Sequence, residues 1–166
     1  MRLYFLRHAD AAYGSLTPDA ERPLSPKGVA QAETIARILP RLDLQITDVL
    51  SSTYLRAKQT AEIVSAPSQL TAPHLTSYLA PDSKPKELFD ELRHYSQDSH
   101  LLLVSHEPFL SSCIGSLILF NSFPKISLGK GALACVQLGG QPQSGAGVLL
   151  WLMQYEQLEI LSKRSS

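Results

Sequence analysis

Hydrophobic positions along the chain switch repeatedly between the spacing of a strand and that of a helix. Leu3, Tyr4, Phe5 and Leu6 predict a first strand over Arg2 to Arg7, which breaks into a polar loop running to about Pro23. Ser25 then reads as a helix N-cap and Pro26 as the first helical residue. Val29, Ala32, Ile35, Ala36 and Leu39 recur at helical spacing, so a helix is expected from Pro26 to Leu39. A second strand is expected over Ile46 to Leu50, followed at once by a helix from Thr53 to Val64. The proline-rich stretch from Ser65 to Pro85 predicts mostly loop, with a short strand at His74 to Tyr78. A short helix follows at Lys86 to His94.

His100 to Val104 is the plainest buried strand, and Ser105-His106-Glu107-Pro108 leads into a helix expected from Pro108 to Phe120. Leu133 to Leu138 and Val148 to Tyr155 read as two strands of a hairpin joined by the loop GGQPQSGAG. Strands alternating with helices predict an α/β fold, a three-layer sandwich with a mostly parallel central sheet and helices on both faces. No repeat or linker interrupts the pattern, so residues 1–166 are expected to form a single domain.

Composition narrows the function classes. The 166 residues carry 15 Lys plus Arg against 15 Asp plus Glu, with 44% hydrophobic and 18% charged residues. A formal charge of zero speaks against a nucleic-acid or acidic-membrane partner, because such binding draws on an excess of cations. Cys113 and Cys135 sit in apolar stretches without a CxxC spacing, as small core residues of a reducing compartment do, and a cytoplasmic location is expected. The longest apolar run, Val148 to Met153, is too short to cross a membrane, and MRLYFLRHAD reads as a strand rather than a signal peptide.

Three polar clusters fall at the carboxyl ends of predicted strands: Arg7-His8-Ala9-Asp10, Ser52 with Arg56, and Ser105-His106-Glu107. In open α/β sheets that edge binds ligands, and two arginines with two histidines there predict a phosphate pocket. Each residue also has a plainer reading. Arg7-His8 is an ordinary solvated loop start, Arg56 a surface residue, and His106 a core histidine with its hydrogen bonds satisfied. Arg56 sits poorly at the positive end of a helix dipole, which favours an anionic neighbour.

The stretches LRHAD, RPLSPKG at 22 to 28, SSTYLRAKQTA at 51 to 61 and LLLVSHEP at 101 to 108 occur in the order found in the histidine phosphatase superfamily, which the chain resembles over nearly its whole length. Its short length and Arg-Pro-Leu segment resemble the SixA-type branch, the protein-phosphohistidine phosphatases. The resemblance implies a minimal phosphoglycerate mutase-like fold without a cap domain. It implies His8 as the nucleophile, with Arg7, Arg56 and His106 around the phosphoryl group and Arg22 near the pocket mouth. Ser52, which precedes the second arginine's helix and is placed to cap it, and Glu107 are assigned with Arg22 to substrate binding. It further implies phosphate or vanadate as an active-site ligand and a phosphorylated signalling protein, an HPt-type phosphorelay domain, as partner.

The chemistry is coherent with those roles. A neutral imidazole is a competent nucleophile near pH 7, and two arginines with a protonated or donating His106 supply charge stabilisation without a metal or other cofactor. Ala9 stands where the family usually has glycine, and Thr53 where proline is common. The carboxylates Asp82, Glu87 and Glu107 match no acidic proton donor of the larger relatives. Because the imidazole of a phosphohistidine leaves readily, that lack points to a phosphohistidine substrate and an open site. The cationic residues are expected to gather at one edge, with the acids elsewhere. Three other readings stand beside this one: a metallohydrolase using His8, Asp10 and His106, a phosphate-binding module without turnover, and a small-molecule phosphomonoesterase.

Overall fold

The computed structural model describes residues 1–14, 16–68, 70, 72–119 and 125–163. Six strands form one sheet: β1 (Arg2–Arg7), β2 (Asp48–Ser52), β3 (His74–Thr76), β4 (His100–Ser105), β5 (Leu133–Leu138) and β6 (Gly147–Met153), in the order β3-β2-β4-β1-β5-β6. β1, β2, β3 and β4 run parallel, while β5 is antiparallel to both β1 and β6. Five helices complete the fold: α1 (Pro26–Ile38), α2 (Leu55–Ser65), α3 (Pro85–Leu92), α4 (Phe109–Ile118) and α5 (Tyr155–Lys163). The α/β architecture with a mostly parallel sheet is the one the sequence predicts.

The period-2 alternation of β1 builds both sides of the sandwich. Leu3 and Phe5 face a core made with Leu88, Phe89 and Leu92 of α3 and Phe109, Leu110, Ile114 and Leu117 of α4. Tyr4 and Leu6 point the other way, into a core closed by Ala32 and Ile35 of α1, Ala57 and Val64 of α2 and Leu158 of α5. Both cysteines are buried and free, Cys113 in the first core and Cys135 in the second.

Element boundaries depart from expectation where polar residues are buried or local geometry tightens. β2 begins two residues later than predicted and keeps Ser51 and Ser52, both fully buried, as strand residues. Gln45, just before it, has a φ of 54°, a left-handed conformation that ends any extended run through that point. α1 stops at Ile38, and the chain tightens into a 3₁₀ turn over Leu39–Leu42 where Pro40 removes a donor. α4 starts at Phe109 rather than Pro108 and ends at Ile118; the predicted end at Phe120 lies outside the described residues. The stretch expected to continue β6 to Tyr155 instead starts α5, which the sequence reading lacks altogether. There Gln157 Oε1 accepts from the Gln154 N–H at 2.7 Å, fixing the first turn of α5.

β2, β4 and β1 lie side by side with matched carboxyl ends: Arg7 stands opposite Ser105, and Ser51 opposite Val104. The His8 N–H donates to the Ser105 carbonyl at 2.9 Å, continuing the ladder one residue past the strand. The three polar clusters of the sequence are thereby brought to one edge of the sheet.

Candidate active site

The loop after β1 is held from both neighbouring helices. The Ala9 N–H donates to Thr60 Oγ1 of α2 at 3.1 Å, and the Asp10 N–H to Gln31 Oε1 of α1 at 2.9 Å. Ser25 caps α1 as expected, accepting from the Gly28 N–H at 3.0 Å, and its hydroxyl donates to Asp10 Oδ2 at 2.6 Å. The helix start comes so near the loop that a Cβ on Gly28 would lie 1.9 Å from the Asp10 carbonyl oxygen. This close approach explains the glycine of RPLSPKG.

Within the loop the hydrogen bonds of His8 define its tautomer. Nδ1 lies 2.7 Å from the Ala9 carbonyl, which only accepts, so Nδ1 carries the proton. Arg56 Nε, which only donates, lies 3.2 Å from His8 Nε2. The lone pair of the ring therefore sits on Nε2, facing a guanidinium. Burial first, and then the cations Arg56, Arg7 and Lys130, push the His8 pKa down to about 4 against the single favourable bond to Ala9.

His106 packs against His8 with ring centroids 4.9 Å apart. Its Nε2 lies 2.8 Å from Ser52 Oγ, and that hydroxyl also accepts from the Tyr54 N–H at 3.3 Å. The serine hydroxyl has a proton to give and a second lone pair to accept with, so this bond holds the ring in place in either tautomer. Nδ1 is buried and has no hydrogen-bond partner among the described residues, as is the case for Arg7 Nε. Arg7 Nε, which can only donate, is thus a buried donor without an acceptor in a residue that lines the cleft, as an anion-binding site presents. Burial first, then His8 and the nearby arginines, lower the His106 pKa to about 3. Of the two forms expected for His106, protonated or neutral and donating, burial favours the neutral one.

Ser52 does not cap α2 as the sequence implies. The N-cap is Tyr54, which has no side-chain cap bond, and Ser52 is fully buried behind His106. Glu107 lines the cleft, where it accepts from the Ser111 hydroxyl and from the Leu128 N–H at 3.3 Å. Leu128 in turn accepts from Arg7 NH1 at 2.7 Å, so Glu107 braces the segment that aims Arg7. Arg22 lies at the cleft, its Nε donating to the Ala12 carbonyl at 3.0 Å and NH1 to Asp19 Oδ1 at 2.9 Å.

Two lining residues escape the sequence reading. Asp19, in the 3₁₀ turn Asp19–Glu21, accepts from Arg56 NH2 at 3.0 Å through Oδ2, and its carbonyl accepts from Arg56 NH1 at 2.6 Å. Its signal was the i, i+3 spacing to Arg22, and it supplies the anionic neighbour that Arg56 lacks on its own helix. Lys130 lines the cleft and pairs with Asp10 Oδ1 at 2.6 Å; its only signal was a Gly-Lys-Gly turn just ahead of β5. The cleft has a volume of about 290 Å³ and holds Arg7, Arg22, Arg56 and Lys130 together with Asp19 and Glu107. The expectation that acids lie elsewhere is thus corrected: both are inside, each spent on holding other groups. Asp82 and Glu87 are exposed and do not line the cleft. Among the described residues, no group of three or more His, Cys, Asp and Glu gathers as metal ligands would.

Comparison with known proteins gives the family. Residues 3–80 match the histidine phosphatase superfamily (branch 1). An uncharacterized protein of Picosynechococcus sp. is 31% identical over 142 residues, 84% of this chain and 86% of that protein. The chain belongs to the histidine phosphatase superfamily. Within the superfamily its resemblance is of the SixA type. Phosphohistidine phosphatase SixA of Escherichia coli (strain K12) is 28% identical over 159 residues, 92% of this chain and 93% of that one. The solved structure of the protein histidine phosphatase SixA complexed with tungstate superposes with a TM-score of 0.80 at 27% identity, covering 95% of this chain and 99% of the other. Membership of the superfamily supports phosphatase activity. Among the described residues, no helix is long and apolar enough to cross a membrane.

Proposed function

We propose that this chain, acting as one domain, is a phosphohistidine phosphatase that works through a covalent phosphohistidine on His8. The observation that carries the reading is the tautomer of His8: Nδ1–H anchored on Ala9 and the lone pair on Nε2 beside Arg56. In the first step Nε2 attacks phosphorus and the P–N bond of the substrate breaks. The substrate's imidazole, protonated on its other ring nitrogen, leaves as a neutral ring. Water then cleaves the His8–phosphoryl bond and releases inorganic phosphate. Arg7, Arg56 and His106 surround the transferring oxygens, and Arg22 and Lys130 stand at the mouth. Ser52 and Glu107 act as positioning residues, on His106 and Arg7 respectively. No step calls for a metal, so activity should survive exhaustive chelation.

The choice of a phosphohistidine over an alkyl ester rests on the carboxylates of the cleft. Burial works against ionisation of Asp19, but hydrogen bonds from Arg56 and Arg22 hold its pKa below the usual carboxylate range. An ionised, doubly paired Asp19 is a poor proton donor, and Glu107 is committed to Ser111 and Leu128. An alkoxide leaving group would find no ready acid, whereas an imidazole needs none. The similarity to SixA supports the same substrate class, and a histidine-phosphorylated HPt-type domain is the partner we propose.

A phosphatase panel tests the reading. Phosphate release from a phosphohistidine protein should be much faster than from phosphoserine or sugar phosphates. Faster hydrolysis of the sugar esters would instead make this a small-molecule phosphomonoesterase.

A further inference from the structure

A second concavity, of about 550 Å³, lies between α3, α4 and the loop joining β5 to β6. Phe89 and Pro85 give it an apolar lining, and α4 adds the hydroxyls of Ser112 and Ser116. Its charged lining is Lys84, Lys86 and Arg93 against Asp90 alone, in a protein whose overall charge is zero. Asp90 is already shared, accepting from Lys86 Nζ at 2.6 Å and from Arg93 NH1 at 3.0 Å. Lys84 is exposed and has no ion pair among the described residues. Arg93 NH2 also donates to the Pro142 carbonyl at 3.3 Å, tying α3 to the far wall. The lining holds no histidine, cysteine or other nucleophile suited to chemistry, so its assets are shape, an apolar floor and surplus positive charge.

The groove is next to the active-site cleft. Pro81 lines the cleft and Lys84 lines the groove. Three residues of chain span at most about 11 Å, so the Lys84 end of the groove lies within about 11 Å of Pro81 in the cleft. A substrate reaching both is a polypeptide, because a free phosphohistidine fills only the cleft. We propose that this groove docks an acidic segment of the phosphoprotein whose phosphohistidine enters the cleft. The proposal rests on the phosphohistidine reading and adds to it the charge of the sequence near the phosphorylated residue. Carboxylates of that segment meet Lys84 and Lys86, while an apolar side chain covers Phe89. The cleft then recognises the phosphoryl group and the groove selects the protein that carries it.

Two synthetic phosphohistidine peptides test this, identical except for a segment three to six residues from the phosphohistidine that is rich in Asp and Glu in one and in Lys in the other. Free phosphohistidine serves as the small substrate. The wild type should show a KM for the acidic peptide roughly fivefold or more below that for the basic one, as two exposed charge pairs allow. The double variant Lys84→Glu, Lys86→Glu should lose that preference while cleaving free phosphohistidine at the wild-type rate, which also reports an intact fold. Gln143→Trp, which narrows the groove without changing charge, should weaken both peptides and spare the small substrate. If the wild type cleaves both peptides with equal KM, if Lys84→Glu, Lys86→Glu keeps the preference, or if Gln143→Trp leaves both peptides at the wild-type KM, the docking proposal fails and the phosphohistidine reading stands. If the wild type cleaves neither peptide nor free phosphohistidine, the reading itself fails and the docking proposal with it.

Discussion

Around the two histidines, single hydrogen bonds decide what each residue does. Removing the Arg56 guanidinium takes charge-assisted donors from the phosphoryl oxygens, so Arg56→Ala should weaken vanadate binding by about ten- to a hundredfold. Titration calorimetry checks this. Ser52→Ala removes the 2.8 Å hydrogen bond that holds the His106 ring in place. A loss of roughly five- to thirtyfold in kcat with KM little changed is expected from a hydrogen bond of about 1–2 kcal/mol; an unchanged kcat would remove Ser52 from the positioning role. The pH profile follows from His8, whose protonated ring has no lone pair to attack with. Because burial and the surrounding cations lower its pKa to about 4, kcat/KM should hold from neutrality to about pH 5 and fall near pH 4. An acid limb near 6.5 would mean that His8 is far better solvated than the structure has it.

The elements bring these residues together through close packing of backbone. Gly28 is the tightest point: a Cβ there meets the Asp10 carbonyl at 1.9 Å, so Gly28→Ala should cost about 1–3 kcal/mol of stability and displace the loop carrying His8. Denaturant unfolding together with vanadate affinity measures both effects. Much of this arrangement was legible in the sequence. The cap Ser25-Pro26, the strand–turn–helix units and the clusters at strand ends are local patterns, and local patterns follow from propensity and periodicity. What stayed hidden depends on contacts between distant segments. Ser51 and Ser52 fall outside the expected strand because nothing local says that a polar pair will be buried in β2. α5 was lost because its amphipathic face buries only Leu158. Asp19 and Lys130 were missed since their partners Arg56 and Asp10 lie 37 and 120 residues away.

For the whole molecule, overall neutrality conceals an uneven distribution of charge. The cleft gathers four cations and two acids, and the neighbouring groove three cations and one acid. Burying neutral histidines in such a place makes stability depend on pH. His8 and His106 titrate near pH 4 and 3 when folded, against about 6.5 unfolded. Between about pH 6.5 and pH 3 the unfolded chain binds more protons, so stability should fall as the pH is lowered through that window. Thermal unfolding from pH 7 to pH 4 should show this, with a shallower decline for His8→Asn and for the vanadate-saturated protein. A melting temperature that rises on acidification would contradict the buried, neutral state of both rings.

The central claim is that His8 Nε2 carries the phosphoryl group during turnover. Its most direct test is rapid quenching at alkaline pH, where phosphohistidine survives, followed by mass spectrometry of the peptide that contains residue 8. One phosphoryl group on His8 of the wild type, and none on the His8→Ala protein, is the predicted result. A phosphoryl adduct that persists in His8→Ala, or turnover that proceeds undiminished without His8, would contradict the account.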